Sequence, residues 1–204
     1  MLTFLQYEQT EKIEARSIIN SKIGTKTKDS SVIRLALIGA GGFAKGMHLP
    51  NIQSLPNQFQ LTAVMSRTGH NAIATAKRYG AQISTTDYND ILNNPDIDAV
   101  IIATRHSLHA EMALAALNAG KHVLLEKPLA LNANELSEIE KFYSNGFEDK
   151  PVLMVGFNRR FSKYSQEIFS SIQNRSNPMN INYQMNAGYI PLDHWVHTEE
   201  GGGR

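Results

Sequence analysis

The feature that most constrains this chain is a glycine turn set directly behind a run of buried-strand residues. Val32-Ile33-Arg34-Leu35-Ala36-Leu37-Ile38 is nearly continuous in β-branched and aliphatic side chains, the pattern of a strand covered on both faces. Gly39-Ala40-Gly41-Gly42-Phe43-Ala44 follows without a gap, and a helical stretch from Phe43 to about Ser54 ends near Pro56. The spacing G-x-G-x-x-A has a physical meaning. Gly39 permits a tight turn from strand to helix, Gly41 lets the backbone approach a pyrophosphate with no Cβ in the way, and Ala44 keeps the helix close to the sheet. Free N–H groups at the positive end of the helix then face an anion. The motif alone is weak; its place between a buried strand and a helix gives it weight.

The remaining pattern extends this beginning. Gln60 to Met65 reads as a second strand, Asn71 to Tyr79 as a helix stopped by Gly80, and Tyr88 to about Asn93 as a short helix before Pro95. Ala99 to Ile102 reads as a buried strand, and Ser107 caps an Ala-rich helix running from Leu108 to Gly120. His122 to Leu125 is a further strand and Asn134 to Tyr143 a further helix. Strands alternating with helices across short turns predict an α/β fold, a doubly wound parallel sheet covered on both faces. Residues 1–30, rich in Lys, Glu, Ser and Thr, read as a tail or linker. The stretch 145–151 breaks the pattern and sets an expected boundary, with one domain at 31–150 and an incomplete α/β domain at 151–204. In the latter, Val152 to Gly156 and Met179 to Met185 read as strands and Tyr164 to Ile172 as a helix. The glycines at 201, 202 and 203 are expected to pack against nothing.

Composition narrows the chemistry. A net charge of +1 excludes the strongly basic balance of a nucleic-acid or membrane-surface protein. With no cysteine there is neither a disulfide nor a thiolate metal site. His194 and His197 stand three apart, but with only Asp193 and Glu199 beside them no metal site is expected. No apolar run approaches the roughly 20 residues a bilayer needs, and the N-terminus lacks a signal-peptide pattern, so a cytoplasmic protein is expected.

Two further positions bear on a ligand. A dinucleotide site of this type usually carries an acidic residue at the end of the second strand, bonded to a ribose hydroxyl. Here that strand ends in Ser66 and Arg67, and no acidic residue lies between Asp29 and Asp87. Arg67 suits a bidentate contact with a 2′-phosphate, which favours NADP over NAD. The alternative is that Arg67 is a solvated turn residue and either cofactor is accepted. The strand at 122–125 runs into Glu126-Lys127-Pro128. Ligands of doubly wound sheets bind beyond the carboxyl ends of the strands, where a lysine can donate to a substrate hydroxyl or relay its proton.

Taken together, Gly39-Ala40-Gly41-Gly42, Thr104 with His109, Glu126-Lys127-Pro128, and Gly156-Phe157-Asn158-Arg159-Arg160-Phe161 resemble the glucose-fructose oxidoreductase / inositol dehydrogenase / rhizopine catabolism (Gfo/Idh/MocA) family over about residues 31–204. The resemblance implies a Rossmann domain followed by an α/β domain with a large open sheet. It implies reversible oxidation of a secondary alcohol on a sugar, cyclitol or nucleotide sugar, and a homo-oligomer for the full-length protein. Lys127 would be the catalytic lysine, touching substrate and cofactor, with a cis bond to Pro128. Glu126 would lie beside the nicotinamide ribose. Thr104, Arg105 and His109 would line the nicotinamide side, His109 starting a helix, and Arg105 stands where the family commonly has proline. Gly39, Gly41, Gly42, Phe43, Ala44, Ser66 and Arg67 would complete the cofactor set. Asn158 and Arg159 read either as anion-binding or as structural anchors, His194 as substrate-facing or plain surface, and Trp195 as core or sugar-stacking platform. His48 reads as packing or a hydrogen bond at the cleft, and Lys45 as solvated.

A looser resemblance joins residues 186–197 to proteins in which this module follows a zinc-dependent alcohol-dehydrogenase-like half, which would make 1–30 an inter-module linker. In the family a catalytic His with a nearby Asp follows the glycine-rich stretch, beyond Arg204. The chain is therefore expected to hold a cofactor yet turn over poorly. The competing expectation is a cofactor-binding, sensing or scaffolding module without chemistry.

Overall fold

In a computed structural model, residues 17–20, 31–144, 146, 149–186 and 188–202 are described. The strands are β1 (Ser17–Ile19), β2 (Ile33–Ile38), β3 (Phe59–Met65), β4 (Ile83–Thr85), β5 (Ala99–Ile102), β6 (His122–Leu125) and β7 (Leu153–Val155). The helices are α1 (Leu49–Ser54), α2 (Gly69–Tyr79), α3 (Asn89–Leu92), α4 (His109–Asn118), α5 (Ala133–Ser144) and α6 (Lys163–Ile172). Among the described residues the strands form one sheet in the order β1-β4-β3-β2-β5-β6-β7, parallel throughout except for β1. The chain winds outward from β2 through β3 to β4, then returns to β5 on the other side of β2. This is the doubly wound α/β arrangement expected from the alternation, and its switch point lies between β2 and β5.

Side chains of one strand point alternately to opposite faces, and the core divides accordingly. Ala36 and Ile38 of β2 join Val100, Ile102, Leu117, Leu125 and Ile139 on the face covered by α4 and α5. Leu35 and Leu37 join Leu49, Ile52, Leu61, Val64 and Ala76 on the face covered by α1 and α2. Leu37, Ile38, Leu49, Ile102 and Leu125 are fully buried, each stabilising the fold by about 1.5–3 kcal/mol relative to exposure. Gly80 ends α2 in the left-handed conformation at φ 75°, its N–H donating to the Ala76 carbonyl.

The structure differs from the sequence reading at several elements. Ser107, read as the cap of the Ala-rich helix, lies inside a 3₁₀ turn at His106–Leu108, and α4 begins at His109 with no side-chain cap. Ser17–Ile19, inside the stretch read as a tail, pairs antiparallel with β4; the rest of 1–30, apart from Asn20, lies outside the described residues. β4 itself, only Ile-Ser-Thr, has no apolar run to announce it. The helix after the glycine turn opens as a π-helical turn at Ala44–His48 before becoming α1. The strand expected to open a second domain after 151 is β7, which pairs with β6 and extends the first sheet. Finally, 179–185 forms no strand; a strand needs a neighbour for its backbone groups, and these residues find none among those described. Among the described residues no helix is long and apolar enough to cross a membrane, and no cluster of metal-ligating side chains occurs.

Candidate functional site

The carboxyl ends of β2, β5 and β6 lie side by side, and the candidate residues emerge from them. Gly39 leaves β2 at φ +95°, and a Cβ built there would stand 2.6 Å from the Ala103 carbonyl oxygen and 3.0 Å from the Thr104 nitrogen. The glycine therefore lets the first turn pass against the loop after β5. A Cβ at Gly41 or Gly42 would meet nothing within 4 Å, so the outer side of the turn is open to a ligand. Phe43, at the start of the following helix, is half exposed and sets its edge against His48 at 5.5 Å. Ala44 is fully buried against the sheet.

At the end of β3, Ser66 is buried and Arg67 exposed. The Asn71 amide donates to the Ser66 hydroxyl at 2.8 Å and to the Ala40 carbonyl at 2.9 Å, tying the glycine turn to the second strand. Lys45, expected to be solvated, donates to Asn71 Oδ1 at 2.5 Å. Lys45 and Arg67 have no carboxylate partner among the described residues, so two cations flank Ser66 without a local counter-charge.

At the end of β6, Glu126 is nearly buried and 2.9 Å from His48 Nε2, so the ring N–H donates to the carboxylate. A Cβ on Gly156 would crowd that carboxylate at 3.3 Å, and only a glycine leaves it untouched. The sequence reading left His48 between packing and hydrogen bonding; it is a hydrogen bond, and to a proposed site residue 78 positions away. The Lys127–Pro128 peptide is cis. The Lys127 side chain is exposed and its ammonium has no partner among the described residues.

Behind this turn sits His109, the first residue of α4 and fully buried. Its Nδ1 lies 2.7 Å from the Pro128 carbonyl oxygen and its Nε2 3.3 Å from that of Thr104. The imidazole thus sits between the loop after β5 and the cis turn, its single N–H donating to one of these carbonyls. The Thr104 hydroxyl donates to the Arg105 carbonyl at 3.3 Å. Arg105 turns outward, stacked on Trp195 at 4.1 Å and paired with Glu200 at 3.3 Å.

Asn158 and Arg159 lie in a 3₁₀ turn just beyond β7, both exposed, with the Arg159 guanidinium against the Met185 sulfur. His194 is exposed and accepts the Val196 N–H on Nδ1, capping its own turn. The structure does not bring it into hydrogen bonding with Lys127 or Glu126. Gly201 and Gly202 pack closely, contrary to the sequence expectation. A Cβ on Gly201 would stand 2.4 Å from the Val196 backbone, and one on Gly202 2.7 Å from Leu131.

An open glycine turn at the switch point of a doubly wound sheet defines a dinucleotide-binding α/β protein. The family model for oxidoreductases of the Gfo/Idh/MocA type, with an NAD-binding Rossmann fold, matches residues 33–169, and the chain belongs to this family. It is 38% identical over 140 residues to 4-carboxy-2-hydroxymuconate-6-semialdehyde dehydrogenase of a Sphingobium species, covering 69% of this chain and 43% of that protein. It is 32% identical over 139 residues to inositol 2-dehydrogenase of Salmonella typhimurium, covering 67% of this chain and 39% of the relative. Among solved structures it resembles a 3-ketoreductase from Actinomadura kijaniata in complex with TDP-benzene and NADP. There the TM-score is 0.60 at 29% identity, over 69% of this chain and 43% of the other. The chain thus spans less than half the length of these relatives. NAD or NADP fits the family, and the open backbone of Gly41 and Gly42 fits the diphosphate either would bring.

Proposed function

We propose that this chain is the cofactor-binding part of an enzyme that oxidises or reduces a secondary alcohol of a sugar, cyclitol or nucleotide sugar. The observation that carries the reading is the placement, at the carboxyl ends of β2 and β6 on either side of β5, of an open glycine turn and a lysine with no partner among the described residues. When bound, the nicotinamide supplies or accepts the hydride. The chain's own groups do the rest. Backbone N–H groups at 41–44 face the diphosphate. Ser66 and Arg67 meet the adenosine ribose, and the lack of any carboxylate there supports NADP over NAD. Glu126, held by His48, faces the nicotinamide ribose. Lys127 donates to the substrate oxygen or relays its proton, and Asn158 and Arg159 receive more distant substrate groups. A cytoplasmic homo-oligomer for the whole protein belongs to the same proposal, as does a domain boundary beyond β7.

Calorimetric titration of the chain with NADP and NAD tests the first step. We expect binding of both, tighter for NADP; silence in both titrations from folded material overturns the reading. With the whole protein, turnover of a panel of cyclitols and nucleotide sugars is followed by absorbance of reduced cofactor. Lys127→Ala should retain cofactor binding and lose turnover by about 10²–10⁴-fold. One observation favours a second reading, binding without chemistry: Lys127 has no acid or base within hydrogen-bond distance among the described residues. Full activity of Lys127→Ala would remove the catalytic assignment and leave only the site.

A further inference from the structure

The loop after β5 is gripped from outside by a segment far along the chain. Trp195 lies under the Arg105 guanidinium at 4.1 Å and against the edge of His106 at 4.8 Å. Glu200 reaches Arg105 Nε at 3.3 Å, and His106 Nδ1 donates to the Gly201 carbonyl at 3.0 Å. Two consecutive loop residues are thus held by three residues of one short segment. The segment itself is tightly turned. Val196 is buried, and neither Gly201 nor Gly202 leaves room for a side chain, the latter lying against Leu131 just beyond the cis turn.

The grip continues inward. His106 packs edge-on against His109 at 5.4 Å, and the His109 ring lies between the carbonyls of Pro128 and Thr104, 2.7 and 3.3 Å from its two nitrogens. Contact therefore runs from Trp195 through the loop to the turn that carries Lys127. The pair between Arg105 and Glu200 is too exposed to contribute much to stability, so its consequence is placement.

We propose that residues 194–202 form a strap that positions the Thr104–His106 loop against the nicotinamide half of the bound dinucleotide, with Trp195 as the positioning residue. The proposal rests on the dinucleotide reading given above. The adenosine half, at Ser66 and Arg67 beyond β3, lies on the other side of β2 and has no contact with the strap among the described interactions.

Two probes separate the halves. NADP spans both, whereas adenosine 2′,5′-bisphosphate occupies only the adenosine side. In calorimetric titrations of the full chain, Trp195→Ala should weaken NADP by about five- to tenfold, the size of one partly buried stacking contact, and leave the bisphosphate unchanged. Trp195→Phe, which keeps an aromatic face, should restore most of the NADP affinity. Glu200→Gln, an exposed change compatible with folding, should weaken NADP selectively by about threefold. Equal weakening of both probes, or of neither, in these variants overturns the strap. If the unaltered chain takes up neither probe, the dinucleotide reading itself fails, which is a different result.

Discussion

Two glycines of one turn respond differently to a methyl group. At Gly39 the backbone sits at φ +95°, and a Cβ would press on the Ala103 carbonyl, which is backbone and cannot move aside. Gly39→Ala should destabilise the chain by about 1–3 kcal/mol, read as a lower urea midpoint, and abolish cofactor binding. At Gly41 nothing lies within 4 Å and φ is not positive. Gly41→Ala should therefore change stability by no more than about 0.5 kcal/mol while weakening NADP, because the added carbon lies where the diphosphate would approach. A Gly41→Ala variant that binds NADP normally would remove the turn from the site. His109 belongs to the same scale. His109→Phe fills the volume but leaves the Pro128 carbonyl with no donor, at a cost of about 1–3 kcal/mol in a denaturant titration.

Between elements, polar side chains fasten strands where the core cannot. Arg34 on β2 donates to both oxygens of Asp98, just before β5, at 2.6 and 2.9 Å, and to Asp96 at 2.7 Å. The Arg34 hydrogen bond is the main cause holding the Asp98 carboxyl below its ordinary value of 3.8, against a partial opposing effect of burial. The folded form binds its proton less readily than the unfolded chain. The contact therefore stabilises above about pH 4, and that stability is lost as the pH falls through the folded-state value. Asp98→Asn should make the urea midpoint less sensitive to pH between about 5 and 3; an unchanged acid dependence would show that other carboxylates govern it. At this scale the sequence was readable where a strand is buried on both faces, as at 33–38 and 99–102. It was unreadable at Ser17–Ile19 and Ile83–Thr85, which are three residues long; the first is held by its pairing with the second, and the second by β3 and β1 on its two sides. The alternation of Met179, Ile181, Tyr183 and Met185 names two faces but supplies no neighbouring strand, so it misled. The glycine turn and the Glu-Lys-Pro turn were legible because local spacing carries them. The pairing of His48 with Glu126 and the seat of Arg105 on Trp195 were not, since contacts across 78 and 90 positions leave no local pattern.

Over the molecule as a whole, apolar exposure is concentrated beyond β7. Phe157, Tyr164, Ile168, Phe169, Ile181, Tyr183 and Leu192 are all well exposed, and α6 has no buried residue. Surfaces of this kind seek cover. The chain should self-associate as its concentration rises, measured by light scattering, and replacing Ile168 and Phe169 with serine should lessen the effect. A monodisperse monomer at every concentration would contradict this. The position of Trp195 has one more consequence. It is the sole indole in the sequence, seated between the Arg105 guanidinium and the His106 imidazole. Emission excited at the red edge of protein absorbance therefore arises from that one place, and under the proposed strap it should shift when NADP is added but not when adenosine 2′,5′-bisphosphate is.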